Sequence, residues 1–152
     1  MKKTVFLLVC FCLVLIGCAE KGVDGLVVKA SQPRLTKLAA GICRDEVTGL
    51  MWLEKRSRNI TDGNKAAAYA ANLGSGGFDD WRLPTLLEFS SLNATCMLHK
   101  TGECRIQNRS AYWFTTEHGD IKAGRFVAPD YTCGLQYELE ETEKGYVRAV
   151  RP

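Results

Sequence analysis

Five sets of side chains in this sequence have the type and spacing to do chemistry. Glu54-Lys55-Arg56-Ser57-Arg58-Asn59 places two adjacent bases, a spacer and a third base together. That is a short polyanion-binding pattern: guanidinium and ammonium donors meet sulfate or carboxylate through charge-assisted hydrogen bonds. The competing reading is a solvated charged loop. Cys96, His99, Cys104 and His118 are four soft donors, but their spacing fits no standard zinc knuckle. Asp79-Asp80 offers oxygen ligands for calcium, or caps for its own loop. In Asp80-Trp81-Arg82-Leu83-Pro84-Thr85, Arg82 is either an anion clamp or the partner of a nearby carboxylate. Finally, Leu15-Ile16-Gly17-Cys18 ends an uncharged run from Val5 that follows Lys2 and Lys3.

That last pattern is similar to a bacterial lipobox. It implies a signal peptide over residues 1–17, a diacylated Cys18 and a tether over 18–40. The apolar run is too short to span a bilayer, so the expected state is anchored by lipid to the cell envelope. Ala19 after the cysteine favours the outer membrane where the host has one.

Without the two leader lysines, 18 basic residues face 17 acidic ones, lowering the formal charge from +3 to +1. Such a balance argues against nucleic acid as a partner. Beyond the leader and Cys18, four of the seven cysteines remain: Cys43, Cys96, Cys104 and Cys133. An even number in an exported chain implies disulfides, with three connectivities open. Gly102 lies between Cys96 and Cys104 and favours a turn, so that pair is expected, leaving Cys43 with Cys133. Catalysis finds little support: there are two histidines, no serine nucleophile elbow and no isolated carboxylate pair. The expectation is a non-enzyme that needs no cofactor or structural metal.

These groups must be positioned by short elements. Asp45 to Gly49 reads as a turn between two strands, the second being Leu50 to Leu53. Residues 63–73 read as a helix with Tyr69 and Leu73 on its buried face. In GGFDDWRLPTLLEF, Trp81 and Leu83 are expected in the core, Pro84 blocks earlier helix, and Thr85-Leu86-Leu87-Glu88 is a capping box for a helix to about Leu92. Strands are expected at 111–115, 124–128, 134–139 and 146–151, with Val27 and Val28 as an extra candidate. The last two of the four alternate apolar and polar residues, which predicts one wet face. Helices followed by a run of strands define an α+β domain.

Four blocks in order carry a wider resemblance: "DEVTGLMW" from Asp45, "GGFDDWRLPT" from Gly76, "YWFTT" from Tyr112 and "YVRAVR" from Tyr146. Over residues 41–152 the chain resembles the Lcl C-terminal domain family, named for a collagen-like adhesin. The resemblance implies a fold related to C-type lectins and sulfatase-modifying factors, with two short helices packed on small irregular antiparallel sheets. It also implies a binding role, since the founding adhesin binds sulfated glycosaminoglycans. Relatives often carry a cysteine pair where this chain has Ala70 and Ala149, so this chain would rely on its own bridges. Neither the collagen-like stalk nor the calcium-dependent sugar motifs of true C-type lectins are present. Lys55, Arg56 and Arg58 are therefore the ligand-binding candidates, with Trp113, Tyr112 and Tyr131 as possible sugar platforms. The ligand would be a glycan or an envelope protein.

Overall fold

A computed structural model describes residues 32–38, 41–127 and 137–152. Cys18, Val27, Val28, Tyr131, Cys133 and the predicted strand residues 128 and 134–136 lie outside this set. The described residues form two helices and two small antiparallel sheets. No helix among them is long and apolar enough to cross a membrane.

The first sheet contains β1 (Leu35–Lys37), β2 (Ile42–Asp45), β3 (Met51–Leu53) and β7 (Val150–Arg151), in that order across the sheet. Its central turn follows from local chemistry. The Asp45 carboxylate accepts from the amides of Val47 (2.9 Å) and Thr48 (3.4 Å). Gly49 then takes φ 77°, a conformation costly for any residue with a Cβ. Cys43 thereby pairs with Trp52, and Trp52 in turn with Val150. The second sheet is a meander of β4 (Tyr112–Thr115), β5 (Ile121–Val127) and β6 (Glu138–Thr142).

Helix α1 (Gly63–Ala71) begins at Asp62, whose side chain accepts from the Lys65 amide. Its buried stripe is Ala66 and Ala70, both fully buried. The expected stripe of Tyr69 and Leu73 is corrected: Leu73 lies beyond the helix and is only partly buried, and Tyr69 is 38% exposed. Small alanines let the helix backbone come close to Trp113 and Ile121, and a Cβ on Gly63 would meet Ile121 at 2.9 Å. Close approach, rather than a large side chain, joins this helix to the core.

Helix α2 (Leu86–Met97) carries the complete capping box. Thr85 Oγ1 accepts from the Glu88 amide at 3.2 Å, and Glu88 accepts from the Thr85 amide at 2.8 Å. It runs a turn further than the sequence suggested, because Leu92 and Thr95 are both buried and continue its inner face.

Three packed clusters hold these parts. One joins α1, Trp81, Leu83, Trp113 and Val147; a second joins Leu35, Trp52, Leu92 and Val150; a third stacks Phe89, Tyr112 and Phe114. The closing segment from Tyr146 does not alternate. Val147, Arg148, Ala149 and Val150 are all buried: Val147 and Ala149 enter the first cluster, Val150 the second, and Arg148 is enclosed by hydrogen bonds. Cys43 bridges to Cys104. That overturns both expected pairs, since Cys104 is then not available to Cys96, nor Cys43 to Cys133. The turn at Gly102, with φ 56°, swings Cys104 toward β2 rather than back to α2.

Candidate functional site

Residues 54–60 look like an exposed basic loop in the sequence. The structure shows a segment stitched to the core along one side. Ser57 is buried, its amide donates to Val147 O (3.0 Å), and its hydroxyl accepts from Val147 N (2.7 Å). Ile60 and Gly145 exchange backbone bonds in both directions at 2.8 and 3.0 Å. Gly145 also packs closely on the residue before β4 and on β5, since a Cβ there would lie 3.1 Å from Ala111 O and 3.2 Å from Ala123 Cβ. With Ser57 pinned inward, Lys55, Arg56, Arg58 and Asn59 face solvent.

Arg56 is the residue this stitching places most firmly. Its guanidinium lies 3.8 Å from the centroid of the Tyr146 ring. Its Nη1 donates to Ser110 Oγ at 2.8 Å and reaches the Tyr112 hydroxyl at 3.4 Å. Tyr146 packs on Tyr112, which packs on Phe89, with centroids 6.0 and 5.7 Å apart. The cation thus rests on an aromatic stack rooted in α2. Among the described residues, no carboxylate pairs with it.

Arg148 continues the network inward. It is 4% exposed and also has no carboxylate partner among the described residues. Its Nη1 donates to Leu53 O (2.9 Å) and Glu54 O (2.7 Å), and its Nη2 to Gln107 O (3.1 Å) and the Tyr112 hydroxyl (3.1 Å). Tyr112 Oη in turn donates to Gln107 O at 2.7 Å. One phenol therefore sits beside two guanidiniums, one exposed and one buried. Carbonyl and phenol oxygens thus satisfy the donors of Arg148 in place of a carboxylate.

Lys55, Arg56, Ser57, Arg58, Ile60 and Tyr69 line an open depression of about 450 Å³. Tyr69 on α1 supplies the exposed aromatic wall. Three cations without a carboxylate partner among the described residues, beside a tyrosine, can hold acidic groups at the charges and a sugar face on the ring.

The other sequence candidates fall elsewhere. Trp113 and Tyr112 are corrected as platforms: they are 6% and 1% exposed, and the Trp113 indole nitrogen donates to Ile60 O at 3.0 Å. Trp81 and Leu83 enter the core, with Trp81 donating to Ser75 O at 3.1 Å. Arg82 forms a two-pronged pair with Glu88 at 2.7 and 2.8 Å, and its Nη1 also donates to Leu83 O. Pro84 and Thr85 start α2. Asp80 is held by Arg151 at 2.5 and 3.0 Å instead of facing Asp79 across an ion.

The four soft ligands are not brought together. Cys104 belongs to a bridge, and among the described residues the one compact donor group is Cys43, Glu54 and Cys104, two of which are that disulfide. Cys96 is half-buried, and burial pushes its thiol up to about 11, which leaves it protonated and a poor nucleophile. Burial would raise the Glu88 carboxyl, but the Arg82 guanidinium and the Thr85 amide outweigh it and hold it below its usual range.

Sequence reasoning missed Tyr69 as a surface wall, Tyr146 as the base under Arg56, and Arg148 as a buried charge. Tyr146 and Arg148 lie in the "YVRAVR" block, but Arg56 lies 90 positions from Tyr146, and the Arg148 partners lie 36 to 95 positions away along the chain.

A small α+β domain with a Cys43–Cys104 bridge and an exposed cationic face is the class that the structure defines. Residues 41–151 match the Lcl C-terminal domain, and the chain belongs to that family. Neither a curated protein nor a solved structure matches the chain.

Proposed function

We propose that this chain is a non-catalytic module of the cell envelope, tethered by lipid at Cys18, whose ligand is an anionic glycan. The observation that carries the reading is Arg56: an exposed guanidinium held on Tyr146 and Ser110 with no carboxylate among the described residues to neutralise it. A solvated loop would leave its arginine free or pair it with a neighbouring acid. Holding it in advance lowers the ordering cost when an anion arrives. Lys55, Arg58 and Tyr69 extend the same face. Membership of the Lcl C-terminal domain family supports the reading, as does the kinship with C-type lectin folds that the family resemblance implies.

The test uses the full chain in mild detergent, applied to immobilised heparin and to a neutral polysaccharide at low and high salt. Retention on heparin alone, weakened by salt and lost in the Lys55→Ala, Arg56→Ala, Arg58→Ala triple variant, is the expected result. Equal behaviour on both matrices, or a triple variant retained like the parent, contradicts it. The tether rests on the Leu15-Ile16-Gly17-Cys18 pattern. Metabolic labelling with a fatty-acid analogue should mark the parent and leave Cys18→Ala unmarked.

A further inference from the structure

A second cationic hollow lies on the other side of Arg56. It measures about 190 Å³ and is lined by Asn59, Arg109, Ser110, Arg125, Lys144 and Tyr146, among others. None of Arg109, Arg125 or Lys144 belongs to the basic run in residues 54–59. Arg109 comes from the segment before β4, Arg125 from β5 and Lys144 from the turn after β6. Only the fold assembles them.

Their charges differ in availability. Arg125 is paired with Glu140 on the neighbouring strand, at 2.8 Å from both Nε and Nη2. Arg109 and Lys144 are exposed and have no carboxylate partner among the described residues. The hollow thus presents two open cations, with Arg125 and Glu140 as a neutral rim. Asn59 and Ser110 add groups suited to hydroxyls and acidic oxygens.

The two hollows share a wall. Arg56 lines the larger one, while its stacking partner Tyr146 and its hydrogen-bond partner Ser110 line the smaller. Asn59 lies in the same stitched segment as Lys55 and Arg58 and also faces the smaller hollow. An anionic chain seated beside Tyr69 that continues past Arg56 therefore meets Arg109 and Lys144 next.

We propose that Arg109 and Lys144 form a second anion subsite, so that the ligand is a linear glycan with acidic groups on successive sugars, lying across Arg56 from one hollow to the other. This rests on the anionic-glycan reading above and deepens it: the site selects for length as well as charge. Tyr69 favours a sugar chain over a bare polyanion, because it offers an exposed ring beside its cations. Linking two weak subsites through one ligand makes the second contact intramolecular and raises the overall affinity without new chemistry.

The experiment measures the affinity of the full chain in mild detergent for a size ladder of heparin oligosaccharides, disaccharide to hexasaccharide. Inorganic polyphosphate of matched charge serves as the non-sugar probe. The parent should gain at least about tenfold in affinity along the ladder. The Arg109→Ser, Lys144→Ser double variant should match the parent on the disaccharide and lose the gain with length. Both side chains are exposed, so circular dichroism should show an unchanged fold. A double variant that follows the parent at every length overturns the second subsite while leaving the anionic-glycan reading intact. A parent that binds no member of the ladder overturns that reading, and the subsite with it. Polyphosphate bound as tightly as the hexasaccharide, with the same loss in the variant, overturns the glycan assignment.

Discussion

At the scale of single residues, the molecule uses arginine in three different ways. Arg82 is a structural fork on Glu88, Arg56 is a displayed cation on a tyrosine ring, and Arg148 is a buried cation bound by oxygens. The third is the least expected, because a buried charge without a counter-charge is costly unless its donors are satisfied. Here four oxygens accept from its two terminal nitrogens, and they tie β3, the segment before β4 and Tyr112 together. Replacing Arg148 with Met would strand several of those acceptors. The expected cost is about 3 kcal/mol, seen as a lower urea midpoint. An unchanged midpoint would mean that the guanidinium is neutral to stability. The sequence showed Arg148 only as a polar position in an alternating strand. Its burial could not be read there, because it depends on partners in three distant segments.

At the scale of elements, local chemistry was most legible where one short stretch supplies all its own partners. The capping box at Thr85 to Glu88 and the turn at Asp45 to Gly49 stand in the structure as their residue types require. Helix α1 shows the limit. Its pattern of alanines and one tyrosine fits two orientations, and the close packing of Gly63 and Ala66 on β4 and β5 selects the one that leaves Tyr69 outside. The cysteine pairing failed for a related reason. Proximity in sequence favoured Cys96 with Cys104, whereas the hairpin at β2 brings Cys43 to Cys104 across 61 positions. A bridge closing a loop of that size contributes about 4 kcal/mol on a chain-entropy account.

Helix α2 also carries a pH dependence. The Glu88 carboxyl titrates below its ordinary value in the fold. Its contribution is therefore complete above the unfolded value of about 4.3 and is lost as the pH falls through the lower folded one. Thermal stability should decline below about pH 4 in the parent, and decline less steeply in Glu88→Gln. Parallel curves for the two proteins would show that Glu88 has no part in acid unfolding. Asp45 follows the same direction, since hydrogen bonds from Arg34, Val47 and Thr48 overcome the raising effect of burial.

At the scale of the whole molecule, the described residues form two small sheets and two helices around three clusters, and the proposed binding face lies where the last strand region meets the basic segment. The near-neutral total charge hides this face, because composition averages over a surface that the fold has sorted. Lys55, Arg56 and Arg58 were visible as a run of bases. That they stand beside two tyrosines, with no carboxylate partner among the described residues, depends on how the fold places residues 56, 69, 110 and 146, which sequence spacing does not encode.

The central claim is that Arg56 binds as a positioned guanidinium and not merely as a positive charge. Titration calorimetry of the parent, Arg56→Lys and Arg56→Ala with a heparin hexasaccharide tests it most directly. Lysine keeps the charge but cannot stack flat on Tyr146 while bonding Ser110. The account predicts that Arg56→Lys loses about tenfold in affinity and lies closer to Arg56→Ala than to the parent. An Arg56→Lys variant that binds like the parent would contradict it, leaving charge alone as the determinant.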